Sequence, residues 1–279
     1  MNESKIPKLL QEIPDPPKKI YIRGHLPTDE NLIYITVVGS RKYTQYGKSV
    51  CEKLIAGLSG YPFVIVSGLA LGIDAIAHNA ALDNNILTIA VPGSGLDESV
   101  LYPASNRNLA LKILKHGGAL ISELEPKAKA APWTFPMRNR IMAGMSHAVL
   151  VIEAENKSGT RITARLATEY NREVFSVPGS IFSSVSEGCN ELIREGATPI
   201  TSARDILDYF HLLDDVANQQ QFIALEPDEQ RIFELLNEAQ FRNKISNELG
   251  FSIIKTNILL SGMEIKGLIG ESMGKIYKK

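Results

Sequence analysis

The chain has 279 residues, of which 44% are hydrophobic and 22% charged, so neither a disordered chain nor a fibre is expected. No apolar run approaches the ~18 residues needed to cross a bilayer, and the N-terminus lacks the apolar segment of a secretory signal. Two cysteines, Cys51 and Cys189, are too few for a disulfide scaffold and lack metal-ligand spacing, which makes the cytoplasm the expected compartment.

The net charge of −1 averages over segments of opposite sign. Residues 103–172 carry eleven Lys and Arg against five Asp and Glu, whereas residues 205–238 carry one against nine and residues 239–279 seven against three. Such a pattern is compatible with an anionic ligand bound by the first segment, although charge runs usually form solvated faces.

Apolar runs alternate with helical patterns after a Pro-rich, charged segment, residues 1–30, which is expected to pack on the core. Strands are predicted at Ile20–Arg23, Ile33–Val38, Phe63–Val66, Ile86–Val91, Ala119–Ser122, Ala148–Ile152 and Val174–Val177. Helices are predicted at Gly47–Leu58, Ile73–Leu82, Asn106–Leu114, Arg140–Met145 and Arg161–Tyr170. Continuous apolar strands between helices predict an α/β fold over residues 31–210, with a parallel sheet covered on both faces.

The chain beyond residue 210 has a different character. Residues 211–227 contain two adjacent aspartates, three glutamines and Pro227, a composition typical of a linker. Within residues 228–279, three short helices are predicted, one capped by Asp228, one over Lys244–Leu249 and one capped by Ser252, before a hairpin around Gly274. This order indicates a small C-terminal winged-helix domain.

Glycine-containing turns follow several of the predicted strands. They are Gly39-Ser40-Arg41, Ser67-Gly68, Gly93-Ser94-Gly95 and Ser158-Gly159-Thr160. Because crossovers in a parallel sheet are right-handed, the carboxyl ends of the strands share one edge, and ligands of open α/β sheets bind there. The sequence therefore predicts a ligand site along this edge.

The first of these turns, Gly39-Ser40-Arg41-Lys42, combines a glycine with two cations at the start of a helix. Helix-terminal amides attract anions, and an arginine fork fits a phosphate. The segment is neither a dinucleotide fingerprint nor a P-loop. The alternative is a tight turn with an exposed cation, and these residues alone do not decide between the two.

A second candidate segment, Phe135-Pro136-Met137-Arg138-Asn139-Arg140, is expected to form a Pro-bounded loop with an aromatic ring, two arginines and an amide. Single-stranded nucleic acid is bound by such a combination, in which rings stack bases and guanidinium groups contact the backbone. The alternative places Phe135 in the core and pairs the arginines with Glu123 or Glu125.

A third candidate, Lys157-Ser158-Gly159-Thr160, gathers amides and hydroxyls at the positive end of a helix, with an ordinary capping loop as the alternative. Ser67-Gly68 is a weaker signal of the same kind. Asp74 is expected to be a structural first-turn anion, and His78 has no second His or Cys at metal spacing. No nucleophile–base, metal or cofactor motif occurs, so no catalytic residue, metal or cofactor is expected.

The chain resembles the bacterial DNA-processing protein A family in a series of blocks that occur in the family's order. They run roughly from Ile13 to Ala197, with one more in the tail, and read IPDPPKKIYIRGHL, VVGSRKYTQYG, VSGLALGIDAIAH, IAVPGSGLDESVLYP, FPMRNRIMAG, VLVIEAENKSGTRITARLA, VFSVPGSIFSSVSEGCNELIREGA and EIKGLI.

The resemblance implies an extended Rossmann-like fold that binds no dinucleotide. It implies a cytoplasmic, non-enzymatic homodimer that holds single-stranded DNA, chiefly internalised transforming DNA, and loads a RecA-type recombinase onto it during natural transformation. The family's DNA pocket matches this chain at Gly39-Ser40-Arg41, at Phe135 with Arg138-Asn139-Arg140, and at Ser158-Gly159-Thr160. There Arg41 would contact a phosphate and Phe135 would stack a base.

Some positions depart from the family's pattern. Many relatives have an arginine where Leu71 stands, and some have a lysine at the position of Pro132, for which Lys127 or Lys129 could compensate. The winged helix could bind protein or duplex DNA.

Two competing hypotheses stay open at this point. The chain could be a nucleotide-binding enzyme of the phosphoribohydrolase (lysine-decarboxylase-like) type, although it lacks that family's P-G-G-x-G-T-x-x-E stretch. It could also act mainly as a bridge between partners through its tail.

Overall fold

The computed structural model describes residues 2–3, 6–27, 29–213, 226–236, 238–265, 268–272 and 274–278. The chain divides into two compact units, Met1–Phe210 and His211–Lys279. Of the predicted linker, residues 211–227, the part from 214 to 225 lies outside the described residues. Within the described part of the chain, none of the helices is both long and apolar enough to span a bilayer.

The first unit is built on a sheet of nine strands, counted over the described residues, in the order β1-β2-β6-β5-β4-β3-β7-β8-β9. The strands are β1 Asn2–Glu3, β2 Tyr21–Gly24, β3 Ile33–Val38, β4 Phe63–Ser67, β5 Leu87–Ala90, β6 Ala119–Ser122, β7 Ala148–Val151, β8 Glu173–Ser176 and β9 Thr198–Pro199. From β6 to β9 the neighbours are parallel, whereas β1 and β2 extend the sheet antiparallel beyond β6.

Helices connect the strands and cover both faces of the sheet. They are α1 Lys8–Gln11, α2 Gln45–Ala56, α3 Ile73–Asp83, α4 Arg107–Lys115, α5 Thr134–Gly144, α6 Gly159–Glu169, α7 Ser184–Arg194 and α8 Ala203–Tyr209. Ile89 and Ile121 pack in one core cluster with residues of α5 and α6, while their chain neighbours Ala90 and Leu120 pack in another with residues of α4. Successive residues of these strands are therefore buried on opposite faces of the sheet, as expected when helices cover both faces.

The strand order reverses at β3. The chain adds β4, β5 and β6 on one side of this strand and then returns to place β7, β8 and β9 on the other. This arrangement is a doubly wound, Rossmann-like sheet, and it confirms the predicted fold class. The carboxyl ends of β3 and β7 diverge at the reversal, which is the position where folds of this kind bind ligands.

The sequence located the strands better than the helices. β3 and β6 begin and end at the predicted residues, and among the described strands of this sheet only the two-residue β1 and β9 were missed, whereas the helices α1, α7 and α8 were not predicted. The expected loop before Arg140 was wrong, because α5 already begins at Thr134. Pro136 lies in the first turn of α5, where a helix leaves its N–H groups without intrahelical partners, so a proline is tolerated there.

The segment before β3 is part of the first unit. β2 pairs with β6, and Leu10 of α1 is buried in the core with Ile13. Both side chains contact Gly144 near the end of α5, where an added Cβ would come within 3 Å of each. These contacts explain why a segment rich in proline and charge is ordered.

The second unit contains α9 Pro227–Leu235, β10 Gln240–Phe241, α10 Arg242–Leu249, α11 Ile253–Ile265, β11 Ile269–Ser272 and β12 Lys275–Lys278. Its strands form a sheet in the order β10-β12-β11 around a small apolar core. The order of elements is that of a winged helix, as predicted. The cap of α9 is Glu226, two residues before the predicted Asp228, while Ser252 accepts a hydrogen bond from the N–H of Lys255 as expected of a cap.

Candidate nucleic-acid interface

A cleft of about 390 Å³ opens at the point where the strand order reverses. Its walls come from three of the predicted segments, and these are Gly39–Lys42 after β3, the first turns of α5 with Phe135, Arg138 and Asn139, and Ser158–Thr160 at the start of α6. Asp74 of α3 and Glu155 after β7 complete the lining together with apolar residues. The tertiary structure therefore brings together side chains that are far apart in the sequence.

The start of α5 places Phe135 at the cleft. The hydroxyl of Thr134 donates a hydrogen bond of 2.6 Å to the carbonyl of Gly93, which fixes the helix start against the turn after β5. The Phe135 ring then lies against Gly93, where an added Cβ would come within 2.6 Å of the ring. Phe135 remains partly exposed, so one part of the ring is anchored and another is open to a ligand.

Arg41 and Phe135 are neighbours across the cleft. The guanidinium carbon of Arg41 lies 5.3 Å from the centroid of the Phe135 ring, within the range of a cation–π contact. Arg41 is exposed, and no carboxylate among the described residues lies within ion-pair distance of it, although its charge helps to keep Asp74 ionised. An exposed cation beside a partly exposed ring is the arrangement that the sequence hypothesis requires, and both groups face solvent on the same side of the sheet.

Arg138 lines the cleft but its charge is already paired. Its guanidinium lies 3.7 Å from the Asp74 carboxylate, donates to the carbonyl of Val91 at 2.9 Å, and donates to the carbonyl of Gly68. Its Nε also donates to the side chain of the buried Asn139 at 3.0 Å. Arg138 therefore ties the ends of β4 and β5 to α3 and α5, and it shapes the wall of the cleft.

Burial and pairing act in opposite directions on this ion pair. Burial raises the pKa of the Asp74 carboxyl, while the charge of Arg138 and hydrogen bonds from backbone amides favour the ionised form. Burial also lowers the pKa of Arg138, and the Asp74 carboxylate opposes that shift. Each charge is tolerated in the interior because the other is present.

The start of α6 presents groups suited to an anion. The Ser158 hydroxyl is buried and has no hydrogen-bond partner among the described residues, although Ser158 lines the cleft. Gly159 begins α6, so its amide belongs to the first turn, which has no intrahelical acceptor. A buried hydroxyl and free amides at a positive helix end form a site for an oxyanion such as a phosphate.

The glycines at this edge have different roles. An added Cβ would come within 2.7 Å of Ile73 at Gly39 and within 1.7 Å of the Arg138 guanidinium at Gly68. These two glycines, like Gly93, make room for the protein's own side chains. At Gly159 an added Cβ would meet nothing within 4 Å, so this glycine leaves space for a ligand.

Four predicted site residues do not line the cleft. One is Gly68, whose carbonyl accepts a hydrogen bond from Arg138. Ser67 is fully buried and its hydroxyl donates to the carbonyl of Val37, which joins β4 to β3 and excludes direct contact with DNA. Arg140 pairs with Glu123, as the alternative interpretation proposed. Lys157 is exposed but does not line the cleft.

Several site residues were not predicted. Asp74 was expected as a helix-end anion, and its pairing with Arg138 depends on packing between α3 and α5. Tyr102 stacks beside Phe135 with ring centroids 5.7 Å apart. Glu155 adds an exposed carboxylate to the lining. The only available signal was that each lies within or beside one of the conspicuous sequence blocks.

Groups typical of metal or acid–base chemistry are not gathered at this edge. His78 lies in the interior, where its Nδ1 is 2.7 Å from the Thr88 hydroxyl, and burial lowers its pKa to about 3. Cys51 and Cys189 are buried, and burial raises the pKa of both thiols. Among the described residues, no three His, Cys, Asp or Glu side chains are grouped as metal ligands.

Comparison with known proteins agrees with the fold. The family model for DNA recombination-mediator protein A matches residues 1–211. The DNA processing protein DprA of Streptococcus pneumoniae strain R6 is 44% identical over 201 residues, which cover 72% of this chain and 70% of that protein. DprA of Bacillus subtilis strain 168 is 40% identical over 208 residues, 75% of this chain and 69% of that protein.

The solved structures that are similar to this chain include two of DNA processing protein A. The crystal structure of DprA from S. pneumoniae has a TM-score of 0.67 at 42% identity and covers 72% of this chain and 70% of that one. The DNA processing protein A of Helicobacter pylori, which has a single-stranded DNA binding mode, has a TM-score of 0.68 at 32% identity, covering 77% of this chain and 96% of that one. The chain belongs to the DNA recombination-mediator protein A family.

Proposed function

We propose that this protein is a single-stranded DNA-binding recombination mediator, which protects incoming transforming DNA and loads a RecA-type recombinase onto it. The observation that carries the proposal is the exposed Arg41 beside the partly exposed Phe135 ring in a cleft at the strand reversal. The binding mode of the H. pylori relative supports the same choice of ligand.

The cleft can bind a nucleotide without reading its identity. A base of any kind has a flat face that can stack on Phe135, and Arg41 can contact an adjacent phosphate. The Ser158 hydroxyl and the start of α6 offer a further site for a phosphate oxygen. The Glu155 carboxylate opposes these contacts, so affinity depends on several cations and amides acting together.

Replacing Arg41 tests the phosphate contact directly. Each phosphate that a cation neutralises releases counterions, so loss of one contact lowers the salt slope of binding to a single strand by about 0.7. We expect Arg41→Ala to bind a fluorescent oligonucleotide more weakly at low salt, with a shallower slope in an anisotropy titration across salt concentrations.

The matched control for that variant is Arg165→Ala, which removes an exposed arginine from α6 that does not line the cleft. The control is expected to keep the wild-type slope. Equal slopes for wild type and Arg41→Ala would contradict the proposal.

Wild type is also expected to bind a single strand more tightly than a duplex of the same length.

A methyl group at Gly159 is expected to obstruct the phosphate site without damage to the fold. The open space at Gly159 accepts a Cβ without displacing a neighbouring atom. Loss of one hydrogen bond to a charged group costs about 1.5–3 kcal/mol, so Gly159→Ala is expected to weaken binding about tenfold or more.

The control for Gly159→Ala is Ser184→Ala, at the first residue of α7. Both variants are expected to keep the wild-type melting temperature or exceed it slightly. If Gly159→Ala bound the oligonucleotide as tightly as wild type, the start of α6 would not contact the ligand.

The proposal includes a homodimer in the cytoplasm, a RecA-type recombinase as partner, and no catalytic activity. The mediator role is tested with single strands coated by a single-strand-binding protein, on which this protein is expected to accelerate recombinase filament assembly. If the protein bound DNA tightly but did not accelerate filament assembly, the mediator role would be contradicted and only DNA binding would stand. Incubation with nucleoside monophosphates is expected to release no free base.

The winged-helix unit is proposed to contact protein or duplex DNA. Deletion of the residues after Pro227 separates its contribution from that of the cleft. We expect the shortened chain to retain single-strand binding, because the described cleft residues lie in the first unit. Loss of that binding would favour the bridging hypothesis.

A further inference from the structure

We infer that Tyr102 forms a second base-stacking position beside Phe135, so that each cleft takes two adjacent bases of an unpaired strand. The inference rests on the proposed function and extends its binding site. A shallow depression adjoins the cleft, lined by Arg41, Gly68, Leu71, Tyr102, Phe135 and Arg138 among others. Its volume of about 30 Å³ is too small to enclose a base, so a base would lie across its rim, which we call the ledge.

The ledge exposes apolar surface. Tyr102 is 47% exposed and Leu71 is 51% exposed, although both are large side chains at the edge of a well-packed sheet. The Tyr102 hydroxyl has no hydrogen-bond partner among the described residues. Exposed rings beside a cation are what sequence-independent binding of single strands uses. Leu71 would then give a base a further apolar contact.

Tyr102 is held in place before any ligand arrives. Its N–H donates to the Ser94 hydroxyl at 3.3 Å, and the preceding Leu101 is buried in the core. The side chain of Asn106 donates to the carbonyls of Leu69 and Ala70, which ties the segment after Tyr102 to the loop after β4. Because the backbone is fixed in this way, only the side-chain torsions of Tyr102 remain to be ordered on binding.

The geometry of the two rings selects an unpaired strand. The centroids of Tyr102 and Phe135 are 5.7 Å apart and the ring planes are inclined by 54°. Successive bases in a duplex strand are parallel and about 3.4 Å apart, so they cannot stack on both rings at once. Two bases that are unstacked from each other can do so, because an unpaired backbone allows the tilt.

The charges around the ledge agree with this use. Arg41 borders both the cleft and the ledge, so it can contact the phosphate between two bases. The described residues that line the ledge include no carboxylate. Glu155 lies in the cleft and not on the ledge.

The experiment combines protein variants with modified oligonucleotides. A short oligo-dT is compared with one in which every second nucleotide is abasic, so that no two adjacent bases are present in any register. Wild type is expected to bind the alternating oligonucleotide about tenfold more weakly, the effect of one lost stacking contact. Tyr102→Leu is expected to bind the complete oligonucleotide about tenfold more weakly and to lose nothing further on the alternating one.

Non-additivity of the two losses identifies direct contact between Tyr102 and a base. Tyr102→Phe is expected to behave as wild type, since it keeps the ring. Tyr209→Leu is the matched control, because Tyr209 is 43% exposed and lies at the opposite edge of the sheet. Its ring contacts Phe175 edge to face, and its hydroxyl donates to Glu173 at the amino end of β8. It is expected to keep wild-type affinity for both oligonucleotides.

The alternative is that Tyr102 only supports Phe135. Wild-type affinity of Tyr102→Leu, or losses that multiply instead of coinciding, would overturn the inference. If Phe135→Leu weakened binding while Tyr102→Leu did not, the second position would fail and the proposed function would stand. If the wild-type protein bound neither oligonucleotide, both would fail.

Discussion

Asp74→Ala is expected to destabilise the first unit by about 3–5 kcal/mol, because it leaves the buried guanidinium of Arg138 without its carboxylate partner. Both side chains are nearly inaccessible, at 7% and 11% exposure, so water cannot replace the missing charge. The loss is measured by urea denaturation followed through Trp133, the single tryptophan, which precedes α5 in the first unit.

Two further variants separate electrostatics from packing. Asp83→Ala removes an exposed aspartate from the same helix and is expected to change stability by less than about 0.5 kcal/mol. The double variant Asp74→Asn with Arg138→Met removes both charges and is expected to recover much of the loss, since a neutral pair has no uncompensated charge. A double variant as unstable as Asp74→Ala would show that the hydrogen bonds of Arg138 to the ends of β4 and β5 matter more than the charge pair.

Asp74→Ala is also expected to weaken the binding of a single strand. Arg138 holds the carbonyls of Gly68 and Val91, and these lie at the ends of the strands beside Phe135. At urea concentrations where Asp74→Ala is still folded, its affinity for a single strand is expected to fall as well, because the wall of the cleft is no longer fixed. Wild-type affinity in the folded variant would show that the ion pair serves stability alone.

Phe135→Ala is expected to weaken binding of a single strand between about fivefold and a hundredfold, which corresponds to the 1–3 kcal/mol measured for stacking of one base. The ring is partly exposed and its neighbour Tyr102 is also exposed, so the fold should survive its removal. Binding is measured by anisotropy with a labelled oligonucleotide, and folding by the melting temperature of each variant.

The controls for Phe135→Ala address the nature of the contact. Phe135→Trp keeps an aromatic face and is expected to retain most of the affinity, whereas Phe135→Leu keeps only apolar volume and is not. Phe182→Ala removes a ring that is 94% exposed on the loop after β8 and is expected to have no effect. Retention of affinity by Phe135→Leu would mean that apolar contact, and not stacking, accounts for the binding.

The two arginines of α5, Arg138 and Arg140, show what the sequence could not decide. Arg138 and Arg140 are two residues apart and were expected to act together, but they lie on α5, where two residues are separated by about 200° around the axis. Arg138 consequently reaches Asp74 at the cleft and Arg140 reaches Glu123 elsewhere. A loop would have allowed both to face one ligand, and a helix does not.

The sequence by itself determined the layers of the fold and the edge at which the site lies. Apolar strands of four to six residues between helices specify a covered parallel sheet, and the glycine turns mark its carboxyl edge, because these are local properties of the chain. The neighbourhood of Arg41 and Phe135 could be expected for the same reason, since both follow elements that end at that edge.

The tertiary structure alone decided which polar groups are available to a ligand. Whether an arginine is free or paired, and whether a glycine faces a ligand or a neighbouring side chain, depends on residues distant in the chain, as Asp74 with Arg138 and Ile73 with Gly39 show. Such pairings are set by how the helices pack on the sheet. A buried charge is stable only beside an opposite charge, and the space left by a glycine without a Cβ is filled by the side chain that packs there.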